Sequence, residues 1–286
     1  MFLLNNASYQ SPLKWVIFLT LSFLISCTTI EINEHDAFDN HRTVTPESFS
    51  SDVFTLSEKE INTTDGETLN AWWLSRDDAK VTILYFGGNG FLMVKALPWL
   101  THYEKLPVNV LMFDYRGYGL SSGSPSVDGL IDDSRSAFTF LTDSLGVDEE
   151  NIILHGHSMG SFMAGKMANE TNAMAYILES PITNVSDWTG GLVPWLLKPF
   201  IRFSVDDAVG SQNNIINVRS AEIPLLIITG TDDQITPQVM AEKLYEESSS
   251  PSKRLKLIDG GGHNDLPESE SYAEAFREFL EELGKL

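Results

Sequence analysis

Cysteine is almost absent from this chain of 286 residues, which carries Cys27 alone. One thiol cannot close a disulfide within the chain, nor can it supply the clustered thiolates of a zinc or iron–sulfur site. Positive charge is also scarce, because 19 Lys and Arg stand against 40 Asp and Glu, for a formal net charge of -21. Nucleic-acid surfaces need clustered Lys and Arg, so no nucleic-acid partner is expected.

The apolar run near the N-terminus is too short to cross a membrane. Residues 15–25 follow Lys14, and they fall well below the roughly 20 apolar residues that a spanning helix needs. This length is typical of a signal-peptide core. Residues 24–27 read Leu-Ile-Ser-Cys and resemble the lipobox of bacterial lipoproteins, whose cysteine receives lipid and becomes the mature N-terminus.

We therefore predict a lipoprotein signal peptide over residues 1–26 and lipid attachment at Cys27. The protein is then expected in the cell envelope, anchored to a bacterial membrane by its N-terminal lipid. An uncleaved anchor helix with an incidental cysteine is the alternative. Residues 27–50 are polar and show no apolar periodicity, which favours a tether between the lipid and a folded domain.

Residues 51–286 show the pattern of an α/β domain. Short apolar runs, most of them ending in Gly, Asp or Ser, alternate with stretches whose apolar residues recur at helical spacing. This alternation predicts a mostly parallel central sheet flanked by helices. Two strand-like segments around Asp65-Gly66 open the domain as a hairpin. Ligands of such sheets bind beyond the carboxyl ends of the strands, where the polar residues lie.

A nucleophile motif stands at one of these strand ends. Gly156-His157-Ser158-Met159-Gly160 follows the apolar run 151–154 and precedes a helix-like stretch. G-x-S-x-G between a strand and a helix is the pattern of a nucleophile elbow, which raises the serine hydroxyl above the sheet. Ser158 is therefore the candidate nucleophile. A serine hydroxyl is a poor nucleophile at neutral pH, so the motif also predicts a nearby base.

His263 is the candidate base. It lies in the glycine-rich loop 260–265, just after the last apolar run and before a C-terminal helix-like stretch. The remaining histidines are placed in the tether, in a helix, or beside the elbow with side chains aimed elsewhere: His35, His41, His102, His155 and His157. A base of this kind needs a carboxylate to orient it. Asp232 and Asp233 follow the penultimate apolar run, and Glu179 at an earlier strand end is a further alternative.

Residues 114–119 and 121–123 carry a family resemblance. They read Asp-Tyr-Arg-Gly-Tyr-Gly and Ser-Ser-Gly, similar to the D-Y-R-G-Y-G-x-S segment of the BEM46-like group of small lipoprotein and membrane-associated hydrolases. The chain resembles the α/β-hydrolase superfamily, nearest this group. The resemblance implies the α/β-hydrolase fold, structural roles for Asp114 and Arg116, and the G-x-x-D acid pattern, which selects Asp233 when counted from Gly230.

An oxyanion hole for this chemistry needs two main-chain N–H groups. One is expected from Met159, the residue after the nucleophile. The resemblance places the other in the loop 87–89, where this chain has Gly-Gly-Asn and the family commonly has His-Gly-Asn. Asn89 is then the second donor. An ordinary glycine turn is the alternative for this loop.

Residues 181–223 are interpreted as a short cap insertion rich in Trp, Leu and Phe. Its apolar residues either line an acyl pocket, face the membrane, or pack the cap on the domain. No cofactor and no metal are expected, because the pairs Asp132-Asp133 and Asp206-Asp207 lack further ligands at metal-binding spacing and no phosphate-binding loop is present.

The function predicted from these features is a serine hydrolase that cleaves a small-molecule ester or thioester through an acyl-enzyme. Two alternatives remain. The first is a serine peptidase of the same fold, because the fold hosts many chemistries. The second is a non-catalytic envelope protein that uses the scaffold for binding, which a covalent serine probe distinguishes from both enzymes.

Overall fold

The computed structural model describes residues 28–42 and 51–286. Its strands are β1 (Thr28–Ile32), β2 (Thr55–Asn62), β3 (Thr68–Ser75), β4 (Val81–Phe86), β5 (Val108–Phe113), β6 (Ile152–His157), β7 (Ala175–Glu179), β8 (Ile201–Val205), β9 (Leu225–Gly230) and β10 (Lys253–Ile258). Its α-helices are α1 (Leu97–Tyr103), α2 (Val127–Thr139), α3 (Gly160–Glu170), α4 (Val185–Leu192), α5 (Asp207–Gly210), α6 (Asn214–Ser220), α7 (Gln238–Glu247) and α8 (Glu270–Glu282).

Eight strands form one central sheet in the order β10-β9-β7-β6-β4-β5-β3-β2. The six strands from β10 to β5 pair in parallel, whereas β3 is antiparallel to both β5 and β2. The predicted hairpin is therefore confirmed as β2 and β3. Gly66 in its turn has a φ of 94°, a conformation that glycine adopts without steric cost.

The centre of the sheet is covered on both faces. Every residue of β4, β6, β7 and β9 is buried, so these strands are apolar on successive positions and show no alternation. Helices on both faces account for this burial, as in other parallel sheets. The expected α/β architecture with a mostly parallel sheet is confirmed, and the carboxyl ends of β4, β6, β7 and β9 meet at one edge.

The prediction of a tether over 27–50 is wrong for residues 28–42. Here β1 pairs in parallel with β8 in a separate two-stranded sheet. Glu34 then accepts a 2.7 Å hydrogen bond from the N–H of Val127, and Arg42 donates to the carbonyl of Ser121 at 3.0 Å. Strand pairing uses main-chain groups, so it needs no apolar periodicity. Cys27, the signal-peptide region 1–26 and residues 43–50 lie outside the described residues.

The insertion between β7 and β9 forms a cap. Residues 181–223 contribute α4, β8, α5 and α6. Its strand β8 also holds β1, so the cap and the N-terminal segment share one small sheet. Within the described ranges, no helix has the length and apolar character needed to cross a membrane.

Arg116 is buried in a cluster of carboxylates just beyond the carboxyl end of β5. Its guanidinium lies 2.6 Å from Asp65 in the hairpin turn, 2.8 Å from Asp133 and 3.3 Å from Asp132. The aspartate pair of α2 therefore neutralises an arginine. Asp114, also buried, accepts the N–H of Met93 at 2.7 Å. These contacts tie the hairpin, the loop after β5 and α2 together.

Candidate active site

Ser158 lies in a tight turn between β6 and α3. Its φ is 53°, in the left-handed region that residues other than glycine rarely adopt. Glycine is required on both sides of the turn. A Cβ on Gly156 would lie 2.3 Å from the carbonyl oxygen of Gly160, and a Cβ on Gly160 would lie 2.1 Å from that of Phe86. The G-x-S-x-G segment thus folds into the strained elbow that its pattern predicts.

Ser158, His263 and Asp233 form one hydrogen-bonded chain. The Oγ atom of Ser158 lies 2.9 Å from Nε2 of His263, and Nδ1 of His263 lies 2.8 Å from Oδ2 of Asp233. These side chains come from the elbow after β6, the loop after β10 and the loop after β9. An imidazole between a hydroxyl and a carboxylate can remove the hydroxyl proton and keep the resulting positive charge balanced.

Asp233 is the carboxylate that reaches His263. Its Oδ1 atom accepts the N–H groups of Ile235 at 2.9 Å and Thr236 at 2.8 Å. Burial opposes ionisation of Asp233, but the hydrogen bonds from His263 and Thr236 outweigh it and hold the pKa of this carboxyl below its ordinary value. Asp232 has an exposed side chain, and its N–H donates to the carbonyl of Gly261 at 2.9 Å. Of the two candidates, the structure brings Asp233 to the base.

Thr236 is a fourth member of this cluster that the sequence analysis did not single out. Its hydroxyl lies 2.8 Å from Oδ2 of Asp233 and 3.1 Å from Nδ1 of His263. The same hydroxyl is within 3.0 Å of the carbonyl oxygen of Ser180. The residue is buried. A local signal exists, since an aspartate that accepts the N–H groups two and three positions ahead forms a common turn, with Thr236 at the third position.

His157 faces the site, contrary to the expectation that the turn aims it elsewhere. Its Nε2 atom lies 3.0 Å from the main-chain oxygen of His263, and the two rings are 5.0 Å apart. Burial lowers the pKa of His157, which keeps the ring neutral and leaves Nε2–H to donate to this carbonyl. Residues of a strand alternate between faces, so His155 and His157 share one face of β6. The side chain of His157 thereby positions the loop that carries the candidate base.

Glu179 does not contact His263. It is fully buried, lies 2.9 Å from Nε2 of His155, and accepts hydrogen bonds from Trp99 at 3.2 Å and Tyr272 at 2.7 Å. Burial opposes its ionisation, yet His155 and the surrounding donors hold its pKa at about 2. Its main-chain carbonyl accepts the N–H of Ser158 at 2.9 Å. Glu179 therefore supports the turn at Ser158 through its main chain and holds buried side chains together through its carboxylate.

The two residues expected to supply oxyanion donors, Met159 and Asn89, line the same opening as Ser158. Met159 stands at the N-terminus of α3, where the first N–H groups have no acceptor within the helix. The loop 87–90 packs closely against Ser158, because a Cβ on Gly88 would lie only 3.2 Å from the Cβ of Ser158. Asn89 follows in this loop. Its side-chain amide accepts from the N–H of Asp39 at 2.8 Å and from the hydroxyl of Tyr118 at 2.9 Å.

A cavity of about 780 Å³ opens at Ser158 and His263. Its walls come from the domain around the central sheet, from the cap and from the N-terminal segment 28–42. Most of the lining is apolar, as is common in ligand sites. The apolar lining residues are Ile32, Ala37, Phe38, Phe91, Leu92, Trp99, Val127, Leu130, Met159, Phe162, Met163, Ile182, Val185, Trp188, Val209 and Ile235. Lys95 and Asp36 contribute charge at this cavity. In the described part of the chain, no three His, Cys, Asp or Glu side chains are arranged to hold a metal ion.

Comparisons with known proteins agree with this architecture. The family model described as serine aminopeptidase, S33, matches residues 104–214 and 198–270. The protein YfhR of Escherichia coli is 30% identical over 239 residues, which cover 80% of this chain and 81% of that protein. Protein bem46 of Schizosaccharomyces pombe is 29% identical over 244 residues, or 83% of this chain and 80% of its own.

A solved structure shows the same fold. The Pyrococcus furiosus esterase Pf2001 superposes with a TM-score of 0.65 at 23% identity, covering 84% of this chain and 99% of that one. The sheet order, the elbow at Ser158, the family match and the relatives all lead to one assignment. The chain belongs to the α/β-hydrolase superfamily, is a hydrolase, and is related to the BEM46 group.

Proposed function

We propose that this protein is a serine hydrolase that cleaves carboxylic ester or thioester bonds through an acyl-enzyme. The observation that carries the proposal is the chain of two short contacts from Ser158 through His263 to Asp233, of 2.9 and 2.8 Å. A buried carboxylate, an imidazole and a strained serine in this order form the arrangement that activates a hydroxyl for acyl transfer.

The first half-reaction transfers the acyl group to Ser158. As Oγ attacks the carbonyl carbon, its proton moves to Nε2 of His263, and Asp233 stabilises the imidazolium through Nδ1–H. The N–H groups of Met159 and Asn89 stabilise the oxyanion of the tetrahedral intermediate. Collapse of this intermediate breaks the ester or thioester bond, and His263 returns the proton to the departing alcohol or thiol.

The second half-reaction restores the enzyme. Water attacks the acyl carbon, its proton moves to Nε2 of His263, and a second tetrahedral intermediate forms at the same oxyanion site. Collapse releases the carboxylic acid, and His263 returns the proton to Oγ of Ser158. The products are one carboxylic acid and one alcohol or thiol for each bond hydrolysed.

The lining of the cavity supports an acyl substrate. Phe38, Phe162 and Trp188 are among the many apolar side chains around Ser158, and such walls favour a hydrocarbon chain over a charged group. A peptidase is the second candidate, favoured by the description of the matching family as a serine aminopeptidase and by Asp36, which lines the cavity and could pair with an amino terminus. Turnover of an acyl ester against that of an aminoacyl amide compares the two.

We also propose that the protein is attached to a bacterial membrane through lipid on Cys27. The support is the Leu-Ile-Ser-Cys segment at residues 24–27, after the short apolar run. Labelling of cells with a radioactive fatty acid tests this proposal. Incorporation into the wild type and its loss in Cys27→Ser are expected, whereas equal incorporation in both would exclude Cys27 as the attachment site.

The test of the hydrolase proposal uses the full chain with Ser158→Ala. A fluorophosphonate probe should label the wild type but not Ser158→Ala. The matched control is Ser204→Ala, which replaces an exposed serine of β8 and should still be labelled. Turnover of p-nitrophenyl esters should fall by roughly 10⁶-fold in Ser158→Ala alone. A folded wild type that neither reacts with the probe nor cleaves esters or aminoacyl amides would exclude both enzyme candidates in favour of a binding scaffold.

A further inference from the structure

The cap carries an exposed apolar segment that the cavity does not use. Leu192, Trp195, Leu196 and Leu197 are exposed by 50%, 76%, 62% and 46%. We call residues 192–197 the cap edge. Single exposed apolar side chains are ordinary on protein surfaces, but several large ones close together in the chain mark an interaction surface.

The cap edge lies where the chain enters the described structure. The N–H of Thr28 donates a 2.7 Å hydrogen bond to the carbonyl of Phe200, and Thr28 is paired with Ile201 at the start of β8. Phe200 follows the cap edge by three positions. Cys27 is bonded directly to Thr28, so any lipid on Cys27 would enter the membrane beside the cap edge.

The chain segment that carries the cap edge and β8 differs in charge from the chain as a whole. Residues 188–205 contain no Asp or Glu, although the whole chain has a net charge of -21. They contain Lys198 and Arg202, and both side chains are exposed. Basic side chains beside exposed Trp and Leu are the combination that binds a lipid surface with anionic head groups.

Helix α4 connects the cap edge to the cavity. Val185 and Trp188 line the cavity, and Leu192 is exposed at the end of the same helix. Positions i, i+3 and i+7 lie on one face of a helix. A continuous apolar face therefore runs from the wall of the cavity beside Ser158 to the exposed surface of the cap edge.

From these four observations we infer that the cap edge docks on the lipid bilayer and that the cavity receives an acyl lipid from that bilayer. Trp195 and Leu196 enter the interfacial region, and Lys198 and Arg202 contact the head groups. The inference rests on the proposed attachment at Cys27 for its orientation, and on the proposed hydrolase for the fate of the lipid. The docking itself requires neither turnover nor a particular ester.

Fluorescence quenching tests the docking without any measurement of activity. The full-length protein is reconstituted in vesicles of phosphatidylethanolamine and phosphatidylglycerol, with and without bromine on the acyl chains. Brominated lipid should quench the wild type more than Trp195→Phe, because the emission that Trp195 contributes is lost. A matched control places tryptophan elsewhere: Asn172→Trp in the Trp195→Phe background, in the exposed loop before β7 at the opposite edge of the sheet. The emission added in this control should stay unquenched.

Two outcomes would overturn the docking. Equal quenching of the wild type and Trp195→Phe would show that Trp195 does not reach the acyl chains. Quenching of the emission from Asn172→Trp to the same extent as that of Trp195 would show that the quenching is not specific to the cap edge. If Trp195 is unquenched and the protein has the mass of two chains, reduced to one by Leu196→Asp, the cap edge is an interface between copies. Sedimentation with the vesicles reports attachment separately, so failure of the anchor is distinguished from failure of the docking.

Lipid delivery is tested by turnover on two kinds of ester. Leu196→Asp should lower hydrolysis of a p-nitrophenyl ester embedded in the vesicles by roughly tenfold, the effect of removing one apolar side chain from the bilayer. Hydrolysis of a water-soluble short-chain ester should not change. An equal rate of the wild type and Leu196→Asp on the embedded ester would exclude delivery through the cap edge. A wild type that shows quenching but cleaves neither ester would count against the proposed hydrolase and leave the docking unaffected.

Discussion

The side-chain amide of Asn89 donates a hydrogen bond of 3.0 Å to the main-chain carbonyl of Ala37, 52 positions earlier in the chain. The same amide accepts from the N–H of Asp39. Asn89 belongs to the loop that closes beside Ser158, whereas Ala37 belongs to the segment that follows the proposed lipid attachment. The N-terminal segment therefore holds one side of the proposed oxyanion site as well as part of the cavity wall.

Asn89→Ala should lower kcat more than it changes KM. The substitution keeps the main-chain N–H but removes the contacts to Ala37, Asp39 and Tyr118. A loop that moves by about 1 Å loses roughly tenfold to a hundredfold in rate, because the oxyanion donors no longer point at the developing charge. Steady-state kinetics on a short p-nitrophenyl ester measures the effect. Asn33→Ala, in the N-terminal segment 28–42, is the control. An unchanged kcat in Asn89→Ala would contradict the role of the loop 87–90.

Asp233→Asn and Asp232→Asn should differ strongly. Asp233 lies 2.8 Å from Nδ1 of His263, while Asp232 is exposed one position earlier. Replacing the carboxylate that orients a catalytic histidine lowers kcat by roughly ten-thousandfold in the serine proteases, and a similar order is expected here. Asp232→Asn should retain the wild-type rate. Equal losses in the two variants, with both folded by circular dichroism, would rule out this assignment of the acid.

Thr236→Val should reduce kcat by about tenfold, because the loss of one hydrogen bond to a charged group corresponds to a factor of about this size. Valine keeps the shape of threonine but removes the hydroxyl that lies between Asp233 and His263. Thr236 acts through these two residues and is a positioning residue. Thr236→Ser retains the hydroxyl and should restore most of the rate. If serine and valine give the same kcat, the effect comes from packing and the hydroxyl has no positioning role.

Tyr272→Phe should destabilise the protein by about 1.5 to 3 kcal/mol near neutral pH, the range for a hydrogen bond to a charged group. The lost donor lies 2.7 Å from the buried carboxylate of Glu179, whose pKa is about 2 instead of the ordinary 4.5. A carboxyl with a lowered pKa stabilises the fold above pH 4.5 and loses this contribution as pH falls towards 2. The deficit of Tyr272→Phe should therefore shrink in acid.

Urea denaturation of the wild type and Tyr272→Phe at about pH 7 and about pH 3 measures this dependence. Tyr245→Phe is a suitable control, because Tyr245 lies on α7 whereas the side-chain donors to Glu179 are Trp99 and Tyr272. A deficit that stays constant across this range would show that the hydroxyl of Tyr272 does not act on the ionised form of Glu179.

The features that sequence analysis predicted well are those whose determinants lie within a few residues. Gly156 and Gly160 flank Ser158 because the backbone there leaves no room for a Cβ, and that requirement is visible in five consecutive residues. The alternation of strands and helices is likewise encoded by local periodicity. Periodicity alone does not distinguish Asp232 from Asp233 as the carboxylate that orients His263, since both follow β9. The turn that buries Asp233 distinguishes them.

The features that the sequence analysis missed depend on contacts between distant segments. His157 and His263 are 106 positions apart, and only the fold brings the imidazole of one to the carbonyl of the other. The segment 28–42 looked like a tether because it lacks apolar periodicity, yet its strand is held by main-chain hydrogen bonds to β8, which leave no pattern in side chains.

By itself, the sequence determined the α/β architecture, the elbow at Ser158 and the loop that carries His263. These follow from hydrophobic period, from glycine at strained positions and from the order of motifs along the chain, all of which are properties of short segments. The family pattern G-x-x-D had already selected Asp233 as the acid. Only the tertiary structure decided that Thr236 and His157 support the base, and that residues 28–42 and the cap enclose an apolar cavity. Those relationships depend on how the ends of separate strands meet at one edge of the sheet, which no single segment encodes.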